Sequence, residues 1–431
     1  MRAILFCIFL FVTHCITASD IAVVSIAAGE NYQQKVKLGI ENNRYYCQQH
    51  GYDFIFSDQS EDTSRHIYWS KIALVLKTLQ KPTYKWVVWI DADALIMNHG
   101  IPLEDLIDEK YNFIISRDSS GINSGVFFIK NCDWSRDFLK SVYARTDCLK
   151  NANPEQDAIK LQIQLPAYKA FTKIVPQRFF NSYEGNYYHR HTNIAYQPGD
   201  FIVHFAGLNL TLGFSLSDLC QKYASQVVND RKLLTLDSYL SIYGYQPKPD
   251  GSGQNEGFMT DAQKQQFCAR LALMPEITTI AEIGLNAGHS ANTFFHSCPN
   301  LTKLVSFDIN HHKYTAIAAE YLARTYKNCF EFVAGDSILT ILHYAKQFPS
   351  QKFDLIYIDG NHTFEYCYRD ILNCKSIAHS GTIVWVDDYN FNTVSRAVQK
   401  LLHDGQIEIN EIHRSFDPRG ERCWVELQYR H

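Results

Sequence analysis

Hydrophobic residues along this chain fall into two series in which short apolar runs alternate with amphipathic stretches, a pattern of strands and crossover helices. In the first series, DIAVVSIAAG (20–29) reads as a strand and NYQQKVKLGIENNRYYCQQHG (31–51) as a helix stopped by glycine. YDFIFSD (52–58) is a second strand, and RHIYWSKIALVLKTLQK (65–81) is an amphipathic helix ending before Pro82. Tyr84 to Ile90 is a nearly unbroken apolar run, as in a central parallel strand. That order predicts a parallel sheet. Beyond it, YNFIISRD (111–118) and SGVFFIKN (124–131) predict strands and Trp134 to Arg145 a helix. Residues 170–207 are loop-rich, which suits a segment that shapes a substrate site.

QPKPDGSGQNEG (246–257) has little to bury and reads as a linker. A second alternation follows, with strands at TTIAEIG, LVSFDIN, FEFVAGD, FDLIYIDG and GTIVWVDD separated by helical segments. The last two strands, IEINEIHRS and RCWVELQY, have no helix between them. The chain thus divides into a leader (1–19), an α/β module (20–245), the linker and a second α/β module (258–431) made of five βα units closed by an antiparallel hairpin. Its 431 residues agree with more than one domain.

Composition narrows the function. With 46% hydrophobic and 20% charged residues the chain is globular, and a net charge of -4 gives no reason to expect nucleic acid or an anionic membrane as partner. The 12 cysteines include two in the leader and form no CxxC pair, so neither zinc nor a disulfide scaffold is indicated. MRAILFCIFLFVTHCITAS has signal-peptide form; a membrane is a partner only if this segment stays as an uncleaved anchor.

The first candidate chemistry lies in VVWIDADALIMN (87–98), where Asp91 and Asp93 follow the apolar strand. Open α/β sheets bind ligands at such strand ends. Two carboxylates there repel unless a cation separates them, and oxygen ligands suit Mg²⁺ or Mn²⁺ completed by substrate phosphates. Solvated carboxylates or a helix cap would read the same way. His204, in YQPGDFIVHFAG (196–207), is either a third ligand suited to Mn²⁺ or a satisfied core histidine.

YWSKIALVLKTL, WVVWIDADALIMN, INSGVFFIKNCDWSRDF, EQDAI and GDFIVHFAG, in that order, resemble the retaining GT-A glycosyltransferases of family 34. The resemblance implies a metal site of Asp91, Asp93 and His204 that holds the diphosphate of a nucleotide-sugar, a UDP-sugar favoured, and transfer to a glycan acceptor. It implies that Asn123, Ser124 and Gly125 line the donor-sugar side, with Glu155 and Gln156 near the anomeric carbon. Gln156 would stabilise a positively charged sugar, and Glu155 would orient the acceptor hydroxyl. Many relatives continue HFxG with Cys and Lys, whereas HFAGLNL lacks that basic contact. Lys71 is the substitute, unless it is a solvated residue at a helix edge.

In the second module, IAEIGLNAGHSANTF places Glu282, Gly284 and Gly288 at a strand-to-helix turn. The spacing E-x-G-x-x-x-G differs from the dinucleotide fingerprint and argues against NAD. Asp308 ends the next strand, suited to ribose hydroxyls, and Asp336 follows the third, suited to adenine. This region resembles class I S-adenosylmethionine-dependent methyltransferases. FDLIYIDGNHTFEYCYRDI and GTIVWVDDY resemble the metal-dependent O-methyltransferases among them, some of which methylate sugars. That implies Mg²⁺ held by Asp359, Asp387 and Asp388. His362 is a general base, a residue orienting Asp359, or structural.

The two resemblances imply a bifunctional glycan-modifying enzyme. The alternatives are a glycosyltransferase with a merely ligand-binding second domain, and a non-catalytic secreted glycan-binding protein. Both donors are cytosolic products, so a transporter-fed Golgi or ER lumen reconciles them with the leader; without a targeting role for residues 1–19, the cytosol is the natural place.

Overall fold

The computed structural model describes residues 20–118, 121–184, 194–208, 215–229, 235–245, 259–417 and 420–430. Contacts divide the chain into two units, Met1–Leu233 and Leu234–His431. The leader and the linker 246–257 lie outside the described residues.

The first unit is built on β1 (Ile21–Ile26), β2 (Asp53–Ser57) and β3 (Trp86–Ile90), which pair in parallel with β1 in the middle. Helices α1 (Glu30–His50) and α2 (Tyr68–Thr78) make the crossovers, as the apolar pattern requires. The sheet then changes direction. Long β6 (Ile122–Lys130) runs antiparallel beside β3, β5 (Phe113–Arg117) runs antiparallel to β6, and β7 (Thr172–Pro176) is parallel to β5. The order is β2-β1-β3-β6-β5-β7, so the sheet is mixed beyond its first three strands. Only residues 118–121 separate β5 from β6 in the sequence, a connection too short for parallel neighbours.

A second, three-stranded sheet forms next to the end of β3. It joins β4 (Ala94–Ile96), β8 (Ser182–Tyr183) and β9 (Ile202–His204), with β9 in the centre. β4 is held from outside by α1, whose buried stripe Val36, Ile40, Asn43 and Cys47 contains one polar residue. Asn43 donates to Ala94 O (2.8 Å) and accepts from Ile96 N (3.1 Å), satisfying backbone groups on the strand edge. Gly39 allows the approach, because a Cβ there would stand 3.3 Å from Ala92 O.

The second unit is a seven-stranded sheet. β10 (Thr279–Ile283), β11 (Lys303–Asp308), β12 (Phe330–Ala334), β13 (Phe353–Ile358) and β14 (Ala378–Val386) are parallel. The hairpin β15 (Ile407–Asp417) and β16 (Gly420–Tyr429) closes the sheet, with β16 antiparallel to β14. The order β12-β11-β10-β13-β14-β16-β15 is the five-unit architecture with closing hairpin read from the sequence. Order reverses on either side of β10, and ligand sites form outside strand ends at such a switch.

Residues 235–245, placed by the sequence in the first module, cluster with this second unit. Helix Leu236–Ile242 packs there because Asp237 pairs with His289 (2.8 Å) and the Tyr239 hydroxyl donates to Glu320 (3.0 Å). Among the described residues no helix is long and apolar enough to cross a membrane.

Candidate functional sites

Asp91 follows β3 directly, and its N–H donates to Gly125 O (2.8 Å), extending the β3–β6 ladder by one bond. Asp93 immediately precedes β4, and Phe205 N donates to its carbonyl (2.9 Å). His204 faces Ala94 across the β4–β9 pair. These two ladders bring three side chains together. His204 Nε2 lies 3.9 Å from Asp91 Oδ2 and 3.5 Å from Asp93 Oδ1, and one ligand atom from each residue falls within 4.8 Å of the others.

The imidazole is oriented from behind. Its Nδ1 meets Asn181 Oδ1 at 2.9 Å, while the Asn181 amide donates to Ser116 Oγ and Asn123 Oδ1, which fixes the oxygen as the end facing His204. Nδ1 is therefore a protonated nitrogen, and Nε2 is the nitrogen that faces the two acids. Gly125 lies beneath the ring, where a Cβ would stand 2.7 Å from Nδ1 and closer still to Cε1. The side-chain position at Gly125 is thus filled by the histidine ring.

Lys71 is buried, contrary to the solvated helix-edge alternative. Its ammonium reaches Asp91 Oδ1 (3.1 Å), Glu155 Oε1 (3.3 Å) and Ser124 O (2.9 Å). Burial alone would lower its pKa, but Asp91 and Glu155 outweigh that and hold it above the ordinary value. Burial raises Asp91, opposed by Lys71 and reinforced by Asp93; in Asp93 the hydrogen bond and charge of His204 overcome burial and hold the carboxyl low. Glu155 is 4% exposed and packs under Lys71 and Ser124 Oγ. Gln156 accepts the Ser124 N–H (2.9 Å) through its carbonyl oxygen. Asn123 donates to the Tyr183 hydroxyl (2.9 Å) and supports Gly125 N.

In the second unit a cavity of about 810 Å³ opens at the strand ends, with Gly284, Asp308, Asp336, Asp359, His362 and Asp388 on its wall. That size accommodates a cofactor together with a small substrate. Gly284, at φ 96°, has no room for a side chain, since a Cβ would stand 2.7 Å from the Asp359 carbonyl carbon. Gly288 also has positive φ. Asp308 accepts from Asn286 N (2.9 Å) and Asn310 N (2.6 Å), and Asp336 caps the helix Ser337–Gln347. Glu282 lies behind the wall, fully buried, accepting from the Ser290 and Ser306 hydroxyls; burial, augmented by the charges of Asp359 and Asp308, pushes it up to about 7 despite those bonds.

The ligand set at β13 and β14 differs from the expected trio. Asp359, His362 and Asp388 bring ligand atoms within 4.8 Å, with His362 Nε2 3.5 Å from Asp359 Oδ1 and 3.2 Å from Asp388 Oδ2. Asp387 also lines the cavity, but its oxygens are taken by protein donors. Its Oδ2 accepts from the Tyr357 hydroxyl (2.6 Å) and Gln263 Nε2 (2.8 Å), and Oδ1 from Asp388 N (2.9 Å). The Tyr357 hydroxyl also reaches Asp359 Oδ2 (3.2 Å), so Asp387 stands next to the cluster, with its oxygens engaged by these donors. Asp388 leaves the strand at φ 51°, a left-handed conformation that aspartate tolerates. Burial, with the nearby charge of Asp359, pushes Asp387 up to about 8. The hydrogen bond to Asp359, with the surrounding carboxylates, raises His362 despite burial.

Asn181, Asn43 and Arg422, which lies 3.5 Å from Asp388 Oδ1, escaped the sequence reading. Asn43 carried a signal, as the polar member of an apolar helical stripe; Asn181 lies in the loop-rich stretch 170–207, and the strand pattern of RCWVELQY does not say which acid Arg422 meets.

Residues 16–109 and 107–211 match the model of the galactosyl transferase GMA12/MNN10 family, and residues 281–389 match a methyltransferase domain. An alpha-1,2-galactosyltransferase of Schizosaccharomyces pombe is 28% identical over 242 residues, covering 44% of this chain and 63% of its own length. The chain thus spans less than two thirds of that relative. Among solved structures, it is similar to a glycosyltransferase involved in glycosylation of the major capsid of PBCV-1 (19% identity, TM-score 0.38, 48% of this chain, 100% of that one). It is also similar to the O-methyltransferase from Bacillus cereus in complex with SAH (15%, 0.38, 48% and 96%).

Proposed function

We propose that this chain, which joins a family 34 glycosyltransferase region to a methyltransferase domain, is a bifunctional enzyme that transfers a sugar from a nucleotide-sugar and O-methylates a sugar hydroxyl. The single observation that carries this reading is that in each unit two carboxylates and one imidazole converge at the C-terminal ends of strands, with ligand atoms within 4.8 Å. Their donor chemistry fits Mn²⁺ or Mg²⁺: oxygen-rich, three protein ligands, with substrate completing the shell. When bound, the cation stabilises a departing diphosphate in the first unit and acidifies an acceptor hydroxyl in the second, beside the methyl donor S-adenosylmethionine.

The chain's own residues do the rest. Asp91, Asp93 and His204 hold the first ion, and Asn181 keeps Nε2 facing it. Lys71 bridges Asp91 and Glu155 and offsets one of their two charges, so the basic charge that the sequence sought for a diphosphate is already committed to the acid pair. Glu155 acts through Lys71 and Ser124, and Gln156 fixes the Ser124 backbone on the donor side. In the second unit Asp359, His362 and Asp388 hold the ion. Asp308 and Asp336 remain the residues for ribose and adenine, and Glu282 braces the turn through two serines. His362 as a ligand replaces Asp387 and gives up the role of general base. We locate both reactions in a secretory lumen, in keeping with the leader.

Two assays test the proposal. Mn²⁺-dependent consumption of UDP-galactose should be abolished in Asp93→Ala, and methyl transfer from S-adenosylmethionine to glycans should be abolished by EDTA. Turnover of neither donor would refute it; S-adenosylmethionine binding without methyl transfer would reduce the second unit to a scaffold.

A further inference from the structure

Three residues beyond Asp388, Phe391 occupies the N-cap position of the helix Asn392–His403. Helix N-caps favour short polar side chains that accept an N–H of the first turn, and Phe391 makes no such bond. It is also 41% exposed, and it forms part of the wall of the 810 Å³ cavity. Two local preferences are therefore set aside at one position, which is expected where a residue serves a ligand rather than the fold. Its placement is firm. Phe391 N donates to Asp388 O (2.8 Å), so the ring is carried on the same turn as a cation ligand, and it meets the His362 imidazole edge-on with centroids 5.2 Å apart.

An acceptor oxygen held among Asp359, His362 and Asp388 would place the remainder of its molecule beside this ring. We propose that Phe391 is the platform on which the acceptor rests, and that the acceptor is a pyranose whose apolar C–H face packs against it. This rests on the methyl-transfer reading above and goes beyond it by naming the residue that selects a closed sugar ring. Open-chain polyols offer the same hydroxyls without a rigid apolar face, and ordering them on an aromatic surface costs more conformational entropy.

The test uses the full chain and begins with titration of S-adenosylhomocysteine, which Phe391→Ala and Phe391→Tyr should bind within about twofold of wild type. Failure of wild type to bind it would defeat the methyl-transfer reading itself, and this proposal with it. Methyl hexopyranosides, the matching alditols and catechol are then titrated onto protein saturated with S-adenosylhomocysteine and Mg²⁺. The expected result is about tenfold tighter binding of at least one pyranoside than of its alditol, a preference lost in Phe391→Ala and kept in Phe391→Tyr. Equal binding of pyranosides and alditols, absence of pyranoside binding, a preference that survives Phe391→Ala, or catechol bound more tightly than any pyranoside would each overturn the proposal while leaving cofactor binding intact.

Discussion

Gly125→Ala separates the metal site from the fold around it. The added Cβ would lie 2.7 Å from His204 Nδ1 and 2.1 Å from Cε1, so the ring must retreat by about 1.3 Å to regain the 3.4 Å of an ordinary contact. The ring cannot tilt freely, because Nδ1 is tied to Asn181 and His204 is 3% exposed. Displacing a metal-ligating histidine in this way costs about 10- to 100-fold in affinity, or about 1.4–2.7 kcal/mol. Electron paramagnetic resonance of free Mn²⁺ during titration measures it, and the Asp359–His362–Asp388 cluster of the same chain serves as internal control. Weakening of one site with the other unchanged is the expected result. Two undisturbed sites in Gly125→Ala would refute the reasoning.

Removing the acceptor behind His204 gives a related prediction: Asn181→Leu should weaken Mn²⁺ binding about tenfold or more, read by the same titration. Lys71→Met leaves Asp91 and Glu155 without their shared buried countercharge; calorimetry should show destabilisation of about 3 kcal/mol, partly recovered on adding Mn²⁺. Glu282 bears on pH. Its folded pKa of about 7 exceeds the unfolded value near 4.5, so its contribution is full below pH 4.5 and is lost as pH rises through 7. Relative to Glu282→Gln, the wild type should lose up to about 3 kcal/mol over that window, measured by thermal unfolding without ligand. A wild type whose stability rises relative to the variant over the same range would contradict the assignment.

Much of this arrangement is legible in the chain because strand ends announce themselves. The run from Tyr84 to Ile90 and the acids that follow it locate Asp91 and Asp93, and the second alternation with its closing hairpin gives the order of the seven-stranded sheet. Direction was harder: nothing in the apolar pattern of SGVFFIKN distinguishes an antiparallel β6 from a parallel one. Side-chain aim was harder still. Asp387 and Asp388 are chemically identical neighbours, and the backbone turn at Asp388, φ 51°, accompanies its placement beside Asp359 and His362. His362, offered as a base, a brace or a structural residue, joins Asp359 and Asp388 because the loop after β13 brings it beside them. Gly125 was recognised within its motif, but the reason for its missing side chain is His204, 79 positions away in sequence and adjacent only through the β4–β9 pairing. The boundary between units moved as well, since the apolar face of Leu236–Ile242 does not reveal which neighbour it covers.

The central claim is one cation centre in each unit. Anomalous difference density at the manganese edge, from crystals grown with Mn²⁺, UDP and S-adenosylhomocysteine, tests it most directly. Two peaks are predicted, one among Asp91, Asp93 and His204 and one among Asp359, His362 and Asp388. A missing peak at either cluster, or an ion bound by Asp387 with His362 turned away, would contradict the account.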